Sequence, residues 1–473
     1  MYKSTFMGLN TALRGVLAQQ TALDVTGQNI ANLSTEGYTR QRVELSATQA
    51  WSSASNMSQV SPGQLGTGVE ALRIQRLRDA FIDSTVRQQF GSQTSAQTLV
   101  DQLGQVEAAL QEPGAGGISA LMDSFWSSMD AVAANPQSLA ARQSFAQAAQ
   151  ALAGGFNRVG NELLTIEGQS DSRLNSTVGE INSITSRIAA INTEVHKATD
   201  RGQQPNDLLD ERDRLLDSLS KIMNITTSTD AFGEVTVTYG PTAQPLVTAV
   251  TGATTMTRAA LDTAYTAGDL TSGRAFADEQ LWDPAAGIIP SLRLQLDTLV
   301  STFVGGINGG NAAGFDLTGA PGGAIFDAGG TTATTMRLDI ANNILNNPNL
   351  IAAASSWGGA GEPGNGANLS AMLDVLRPSA QAGLGGISFA QYYSNTVTGV
   401  AARTQTEQAN ANNADALVEL AVGRRDQESS VSLDEEMSNM LRFQHAYNAS
   451  ARLMTTVDEM LDTIINRMGT VGL

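Results

Sequence analysis

The cleanest pattern in the first half of the chain lies between residues 4 and 31. There Phe6, Leu9, Leu13, Val16, Gln20, Leu23, Gly27 and Ile30 recur at spacings of three and four. That is a heptad stripe with one polar and one glycine interruption, and it predicts a helix about 42 Å long at ~1.5 Å per residue. The opposite face carries Thr, Gln, Asn and Asp, so the apolar stripe needs a partner from elsewhere. The helix should stop between Asn32 and Gly37, because glycine takes a positive φ at a helix end or turn. The C-terminus repeats the arrangement. Met440, Tyr447, Met454, Leu461 and Met468 recur every seven residues, with Phe443, Ser450, Val457 and Ile464 between them. Ser432-Leu433-Asp434-Glu435 predicts a capping box, and a helix from 433 to 467 would span roughly 52 Å. Two one-sided helices at opposite ends of a chain bury their stripes most economically against each other. Period alone does not decide between closure within one chain and closure between chains.

Between the ends the pattern changes twice. Residues from about 72 to 222 are expected to form long helices. Val178, Ile181, Ile184, Ile188, Ile191 and Val195 make one apolar stripe, and Leu208, Leu209, Leu215, Leu216, Leu219 and Ile222 make another. The second helix opens with Asn206 as expected N-cap and acids in its first turn, where they suit the helix dipole. Asp210 and Arg214 stand four apart, a pair worth a few tenths of a kcal/mol. From 225 to 285 the helical period is lost, and the alternation of Val235, Val237 and Tyr239 predicts a few short strands. Helix resumes from Leu292 to Phe303. A Gly/Ala/Asn-rich segment then runs from 305 to 369, including the loop-like GGAGEPGNGAN at 358 to 368, and helix returns near 388 to 422. Helices on both sides of the strand-bearing stretch imply a discontinuous domain.

Composition narrows the function by exclusion. The 473 residues hold 46 Asp+Glu against 28 Lys+Arg, a net charge of −18. That balance argues against nucleic-acid binding, which needs a basic surface. Basic residues are scattered apart from Arg73, Arg76 and Arg78. With no cysteine and two distant histidines, His196 and His445, neither thiolate chemistry nor a histidine metal cluster is expected. The acids Asp207, Asp210, Glu211 and Asp213 are interleaved with Arg212 and Arg214, so a solvated, dipole-matched helix face is expected rather than a metal site. GQLGTG at 63 to 68 lacks the strand–turn–helix context of a phosphate loop. No apolar run approaches the ~18 residues of a membrane span, and the N-terminus lacks the features of a secretory signal. No catalytic, cofactor-binding or metal-binding residue is assigned, and no membrane insertion is expected.

Four segments carry a family resemblance. ANLSTEGYTRQ at 31 to 41 resembles the motif after the first helix of bacterial flagellar axial proteins, the rod, hook and hook-associated group. LDEEMSNMLRFQHAYNASARLMTTVDEMLDTIIN at 433 to 466 resembles the matching terminal helix. QPNDLLDERDRLLDSLS at 204 to 220, with ANPQSLAARQSF at 134 to 145, resembles the interior of the hook–filament junction members, the hook-associated protein 1 family. The motif residues carried by the resemblance are Ala31, Asn32, Gly37, Tyr38, Thr39, Arg40, Gln41, Pro205, Asn206, Asp207, Leu208, Leu209, Asp210, Arg212 and Asp213. The likeness is weakest between about 225 and 370. Larger members carry an outer β-domain after a turn like Gly314-Phe315-Asp316, for which this chain has too little sequence.

The resemblance implies a structural, non-enzymatic subunit of the junction between hook and filament, exported without a cleaved signal to the cell exterior. Its implied partners are copies of itself in a ring, hook protein on one side, a second hook-associated junction protein on the other, and an export chaperone at the C-terminal helix. A hook or distal-rod subunit is the alternative, and an enzyme carried on flagellar termini a more distant one. The expected fold is mainly α: long terminal helices paired as a coiled coil, plus an elongated helical-bundle domain with a small β insertion. Expected boundaries are 1–70 with 426–473 for the terminal unit and 71–225 with 286–425 for the helical domain. A β-rich insertion is expected at 226–285, and a remnant or loop at 305–369 in place of a large outer domain. The expected seam joins Phe6, Leu9, Leu13, Val16, Leu23 and Ile30 to Met440, Phe443, Tyr447, Met454, Val457, Leu461 and Ile464.

Overall fold

The computed structural model describes residues 6–50, 66–327, 338–358 and 364–463. Helix α1 (Met7–Ala31) leads into an antiparallel hairpin, β1 (Gln41–Ala47) and β2 (Val69–Arg76), in which Gln41 faces Arg76 and Ala47 faces Val69. Four helices follow: α2 (Ala80–Leu110), α3 (Ile118–Ala134), α4 (Leu139–Asp200) and α5 (Asn206–Ile222). Asp79 caps α2 through the N–H groups of Phe81 and Ile82, and Ser138 caps α4 through Ala141. The 62 residues of α4 make a rod of roughly 93 Å.

A four-stranded meander comes next, β3 (Ile225–Thr229), β4 (Val235–Tyr239), β5 (Gln244–Thr248) and β6 (Gly252–Ala253), paired in chain order. Helices α6 (Arg258–Thr266), α7 (Arg274–Trp282) and α8 (Ile288–Ala312) lead to a minimal pair, β7 (Phe326–Asp327) and β8 (Asp339–Ile340). The chain ends with α9 (Asn342–Asn346), α10 (Ala367–Leu376), α11 (Phe389–Ser429) and α12 (Leu433–Asp462). Mainly helical architecture with a small β portion is what the sequence pattern led us to expect.

Two hydrophobic cores are strung along α4. The first joins its proximal half to α3, α8, α10 and the adjoining ends of α2 and α11. Phe125 sits at its centre, with ring centroids 5.1, 5.3 and 5.8 Å from Phe145, Phe303 and Phe326. The second joins the distal half of α4, through Leu174, Ile181 and Ile188, to α5, α6 and the meander residues Val235, Val237 and Val247. α7 bridges them, placing Ala275 in the second core and Ala277 and Leu281 in the first.

Three stretches differ from the pattern-based expectation. Residues 69–76 form a strand rather than helix, and the hairpin they make with 41–47 was not anticipated. The alternation of Val43 and Leu45 with polar neighbours was the available signal. The strands after 225 stop at Ala253, and the helices α6 and α7 occupy most of 258–282. The described residues of 305–369 contribute to the core as well as to loops: Ile325, Phe326, Leu338, Ile340, Ile344 and Ile351 are all buried.

Asparagine amides make that last arrangement possible. Asn308 accepts from the N–H groups of Ile325 and Phe326 and donates to Phe326 O. Asn157 does the same for both backbone groups of Leu338, at 2.8 Å each. These side chains stand in for ladder partners, so buried backbone stays satisfied without long strands. Arg142, fully buried, donates to Pro136 O and Ile351 O at 2.6 Å each, which ties the 348–351 segment to α4.

Candidate assembly site

α1 and α12 pack antiparallel, and they meet through small residues. A Cβ added at Gly8 would lie 3.4 Å from Val457, and one at Gly15 would lie 2.9 Å from the Ser450 hydroxyl. The buried positions of α1 are Ala12, Gly15, Ala18, Ala22, Val25, Thr26 and Asn29. Leu9, Val16, Leu23 and Ile30 are half-buried, whereas Phe6 is 53% and Leu13 44% exposed. On α12, Met440, Phe443, Tyr447, Met454 and Val457 are half-buried and Leu461 is buried. Ile464 lies outside the described residues. The stripe chosen by size on α1 is therefore rotated from the face that meets α12, because close approach of two backbones selects Ala and Gly over Leu. An apolar ridge of Phe6, Leu13 and Leu17 remains exposed.

The capping box expected at Ser432 does not form, since its side chain makes no cap bond. Glu435 and Glu436 turn instead to Arg40: Nη1 reaches Glu435 at 2.6 Å, and Nη2 reaches Glu436 at 2.7 Å. Glu436, buried, also accepts from the Asn29 amide at 3.0 Å. Asn29 donates as well to Gln41 O, while its carbonyl accepts from Gln41 N and the Tyr38 hydroxyl. Burial, with Asp210, Asp207 and Glu436 nearby, pushes the Tyr38 hydroxyl up to about 12, so it stays a donor at neutral pH. The turn that delivers these residues needs Gly37, whose φ is +79°, and Asn32 closes α1 by donating to Gln28 O. Ala31 lies exposed beside it.

The same turn is locked to α5. Thr39 N donates to Asp210 at 3.2 Å, and the Asn206 amide donates to Gln41 Oε1 at 3.0 Å and to Ile74 O at 3.2 Å. Asn206 is thus the first helical residue, engaged with the hairpin, and Pro205 occupies the N-cap position. Asp210 pairs with Arg76 at 2.7 Å rather than with Arg214, which pairs with Glu211. Nor are the acids of α5 a solvated face. Asp213 is only 8% exposed and takes Arg76 at 2.9 Å, Arg87 at 3.2 Å and Arg78 at 3.4 Å. Burial alone would raise its carboxyl, but Arg78, Arg76 and Arg87 outweigh that and hold it below the usual range. Arg78 also pairs with Asp83 at 2.6 Å, and Asp217 bridges Arg87 and Arg425 at 2.8 and 2.7 Å. Asp207 is exposed, Leu208 and Leu209 are half-buried, and Arg212 is buried against Gly233 O at 2.6 Å.

The outcome is a single connector. The post-α1 turn, the hairpin, the start of α2, α5, the end of α11 and the start of α12 converge on one ion-pair and amide network. Asn29, Asp83, Arg87, Asp217, Arg425 and Glu436 escaped the sequence reading, because nothing in the chain marks residues hundreds of positions apart as neighbours. The short cluster Arg73, Arg76 and Arg78 was the one visible clue, and two of its members are central. Among the described residues no group of three or more His, Cys, Asp or Glu is placed to hold a metal, and no helix is long and apolar enough to cross a membrane. His196 lies at the surface beside Phe232, and His445 is exposed.

Both ends match flagellar families. Residues 9–39 match the family described as flagella basal body rod protein, and 424–468 match the flagellar basal body rod FlgEFG protein C-terminal family. The chain therefore has the termini of a flagellar axial protein. Residues 103–326 match the helical domain of flagellar hook-associated protein FlgK. Flagellar hook-associated protein 1 of Bacillus subtilis is 33% identical over 99% of this chain and 99% of its own length. The Escherichia coli protein of the same name is 24% identical over 97% of this chain and 99% of its own length. A solved flagellar hook junction protein, FlgK from Burkholderia pseudomallei, is 24% identical over 52% of this chain and 46% of that one, with a TM-score of 0.44. The chain belongs to the flagellar hook-associated protein 1 family.

Proposed function

We propose that this chain is a structural subunit of the bacterial flagellum that forms the junction between hook and filament and is needed for filament assembly. The observation that carries this is the end-to-end similarity to a hook-associated protein 1 at 33% identity, joined to a fold whose motif-bearing segments build a connector. No catalytic role is proposed. The exposed ridge of Phe6, Leu13 and Leu17 on α1, with Met437 and Leu441 on α12, is the surface through which neighbouring copies pack into a ring. Hook protein lies on one side of that ring and a second hook-associated junction protein on the other. The subunit is exported to the cell exterior, with a chaperone holding the C-terminal helix before assembly. The terminal unit comprises 1–70 and 426–473, the helical domain comprises 71–225 and 286–425, and 226–285 is a small insertion that carries the strand meander. Before assembly the terminal pair is weakly held, since isolated helices are marginal in water.

Deleting the gene in its own bacterium and examining cells by electron microscopy tests the assignment. Hooks without filaments, with flagellin released into the medium, are the expected result. Missing hooks would move the chain to the rod or hook, the reading favoured by the rod-family matches at its two ends. Intact flagella would overturn both.

A further inference from the structure

The layer between the two hydrophobic cores is polar in both of the long helices α4 and α2. On α4 the first core ends at Ile166 and the second begins at Leu174, while residues 167–173 read EGQSDSR. α2 passes the same level through Gly91 to Thr98, where no apolar side chain is larger than that of Ala96. Gly91 O accepts there from Gly273 N at 2.9 Å, immediately before α7. α7 fills the layer, and its Asp278 and Glu279 are fully buried. Arg173 of α4 donates to Asp278 through Nη2 at 2.9 Å and Nε at 3.0 Å. Arg258 of α6 pairs with Glu279 and with Asp262, and reaches Asp171 of α4 at 3.7 Å. Its guanidinium also lies 4.4 Å from the centroid of the Trp282 ring. Arg274, on α7 itself, turns to Glu180 at 2.7 Å, and Asp283 stands at the helix end. Among the described residues no ion pair joins Asp278 or Glu279 to α2, α5 or α8. We propose that this layer is a pH-sensitive joint, at which the lobe carrying the meander tilts against the lobe centred on Phe125.

Incomplete satisfaction is what makes the layer movable. Asp278 Oδ2, Glu279 Oε2, Gln280 Oε1 and Arg258 Nε are all buried without a hydrogen-bond partner. Buried polar atoms left unmet favour any motion that admits water to them. α4 can follow such a motion at Gly168, where glycine weakens a helix interior and no atom stands within 4 Å of the place a Cβ would take. Protonation sets the direction. Burial, against the pull of Arg258, lifts the Glu279 carboxyl to about 7, and burial lifts Asp278 as well despite Arg173, Arg274 and Arg258. Below that value Glu279 is neutral and tolerates the dry layer. Above it the carboxylate keeps one oxygen on Arg258 and has no donor for the other, so hydration is favoured. The closed layer therefore holds a proton that a hydrated glutamate releases near ~4.3, and its advantage falls on the order of a hundredfold as pH rises from there to about 7. The joint is a property of the isolated chain and does not rest on the junction role.

The test uses the full-length chain, which has no cysteine of its own, so introduced cysteines alone carry spin labels. One label pair spans the joint, on the exposed positions of Gln295→Cys in α8 and Ala267→Cys at the end of α6. A control pair lies within the first lobe, on Ser124→Cys and Gln295→Cys. Pulsed electron resonance then gives each distance distribution from pH 5 to 8. The spanning pair is expected to broaden and shift as pH rises, with the control pair unchanged. Glu279→Gln, which keeps the neutral shape, should hold the spanning pair in its low-pH distribution throughout. A spanning pair that ignores pH overturns the joint. So does a control pair that moves equally, which would mean general loosening, or a Glu279→Gln chain that keeps the full response. Hydrogen exchange of the unsubstituted chain, corrected for the intrinsic effect of pH, gives a second reading that needs no variant. Protection over 166–174 and 274–283 should fall on the order of a hundredfold across that range while the Phe125 core holds; constant protection there overturns the proposal.

Discussion

Asp213→Asn strikes the connector where its charges converge. The carboxylate receives three guanidinium groups within 3.4 Å and is 8% exposed, so solvent screens it little. Removing one member of a buried, hydrogen-bonded ion pair costs roughly 3–5 kcal/mol, because the partner charge is left uncompensated. Asparagine keeps the shape and one acceptor oxygen, and Arg76, Arg78 and Arg87 retain Asp210, Asp83 and Asp217. The expected loss is therefore near the lower end, about 3 kcal/mol. It should be local. Native-state hydrogen exchange of 41–47, 69–76 and the first turns of α5 should accelerate about 100-fold for that loss at ~1.4 kcal/mol per decade, while the Phe125 core stays protected. The acid dependence follows from the direction of the shift. A carboxylate held low in the fold adds stability that is complete above its unfolded value near ~4 and fades as pH falls through the folded value. The variant should lack that acid-side component. A change below ~1 kcal/mol, the size expected of exposed pairs, or faster exchange spread evenly over both cores, would refute the picture of a buried connector.

Three other outcomes are expected. Burial, against the pull of Arg258, raises the Glu279 carboxyl to about 7, so the fold binds a proton the unfolded chain releases near ~4.3 and stability should decline as pH rises between those values; Glu279→Gln should flatten that slope in thermal midpoints measured across it. Arg142→Met strips the buried donors from Pro136 O, Pro348 O and Ile351 O and should cost about 3 kcal/mol or more, with Arg142→Lys intermediate and exchange at 348–354 reporting the site. Gly15→Leu, at a position where even a Cβ would lie 2.9 Å from the Ser450 hydroxyl, should separate α1 from α12, whereas Leu17→Ala, at a position 54% exposed, should leave the isolated chain unchanged and weaken only incorporation into flagella.

What could be seen in advance depended on which physical signal was local. The 3.6-residue period marks α1, α4, α5 and α12 because amphipathic burial repeats along the chain itself. The rotation of the α1 face was not visible, because a heptad stripe chosen for bulk ignores how near a partner backbone will come. Ala12, Ala18 and Ala22 carry almost no hydrophobic weight, yet they are buried while Leu13 and Leu17 are exposed. Gly/Ala/Asn-rich composition between 305 and 369 suggested loop, since the stabilising device there is asparagine amides bonding to distant backbone. That pairing leaves no periodicity. The acids of α5 resembled a solvated face for the same reason: Asp210 and Asp213 have their partners in β2, α2 and the stretch between them, more than a hundred residues earlier.

The division of labour between the terminal pair and the connector follows from these contacts. Burial near 25 cal/mol per Å² rewards large side chains, so the small residues that α1 buries, Ala12, Gly15, Ala18 and Ala22, add less to the seam than leucines would. Position must come from elsewhere. At one end it comes from Asn29, Arg40 and Glu436, which fix the first turn of α12 against the end of α1 by directional bonds. Arg425 carries the end of α11 into the same network through Asp217. Toward the tips, near Gly8 and Val457, the described contacts are apolar and small. A pair anchored by charge at its root and held by slight burial along its length can keep its direction relative to the helical domain. Its exposed leucines then stay at the surface, where the assembly proposed above would bury them.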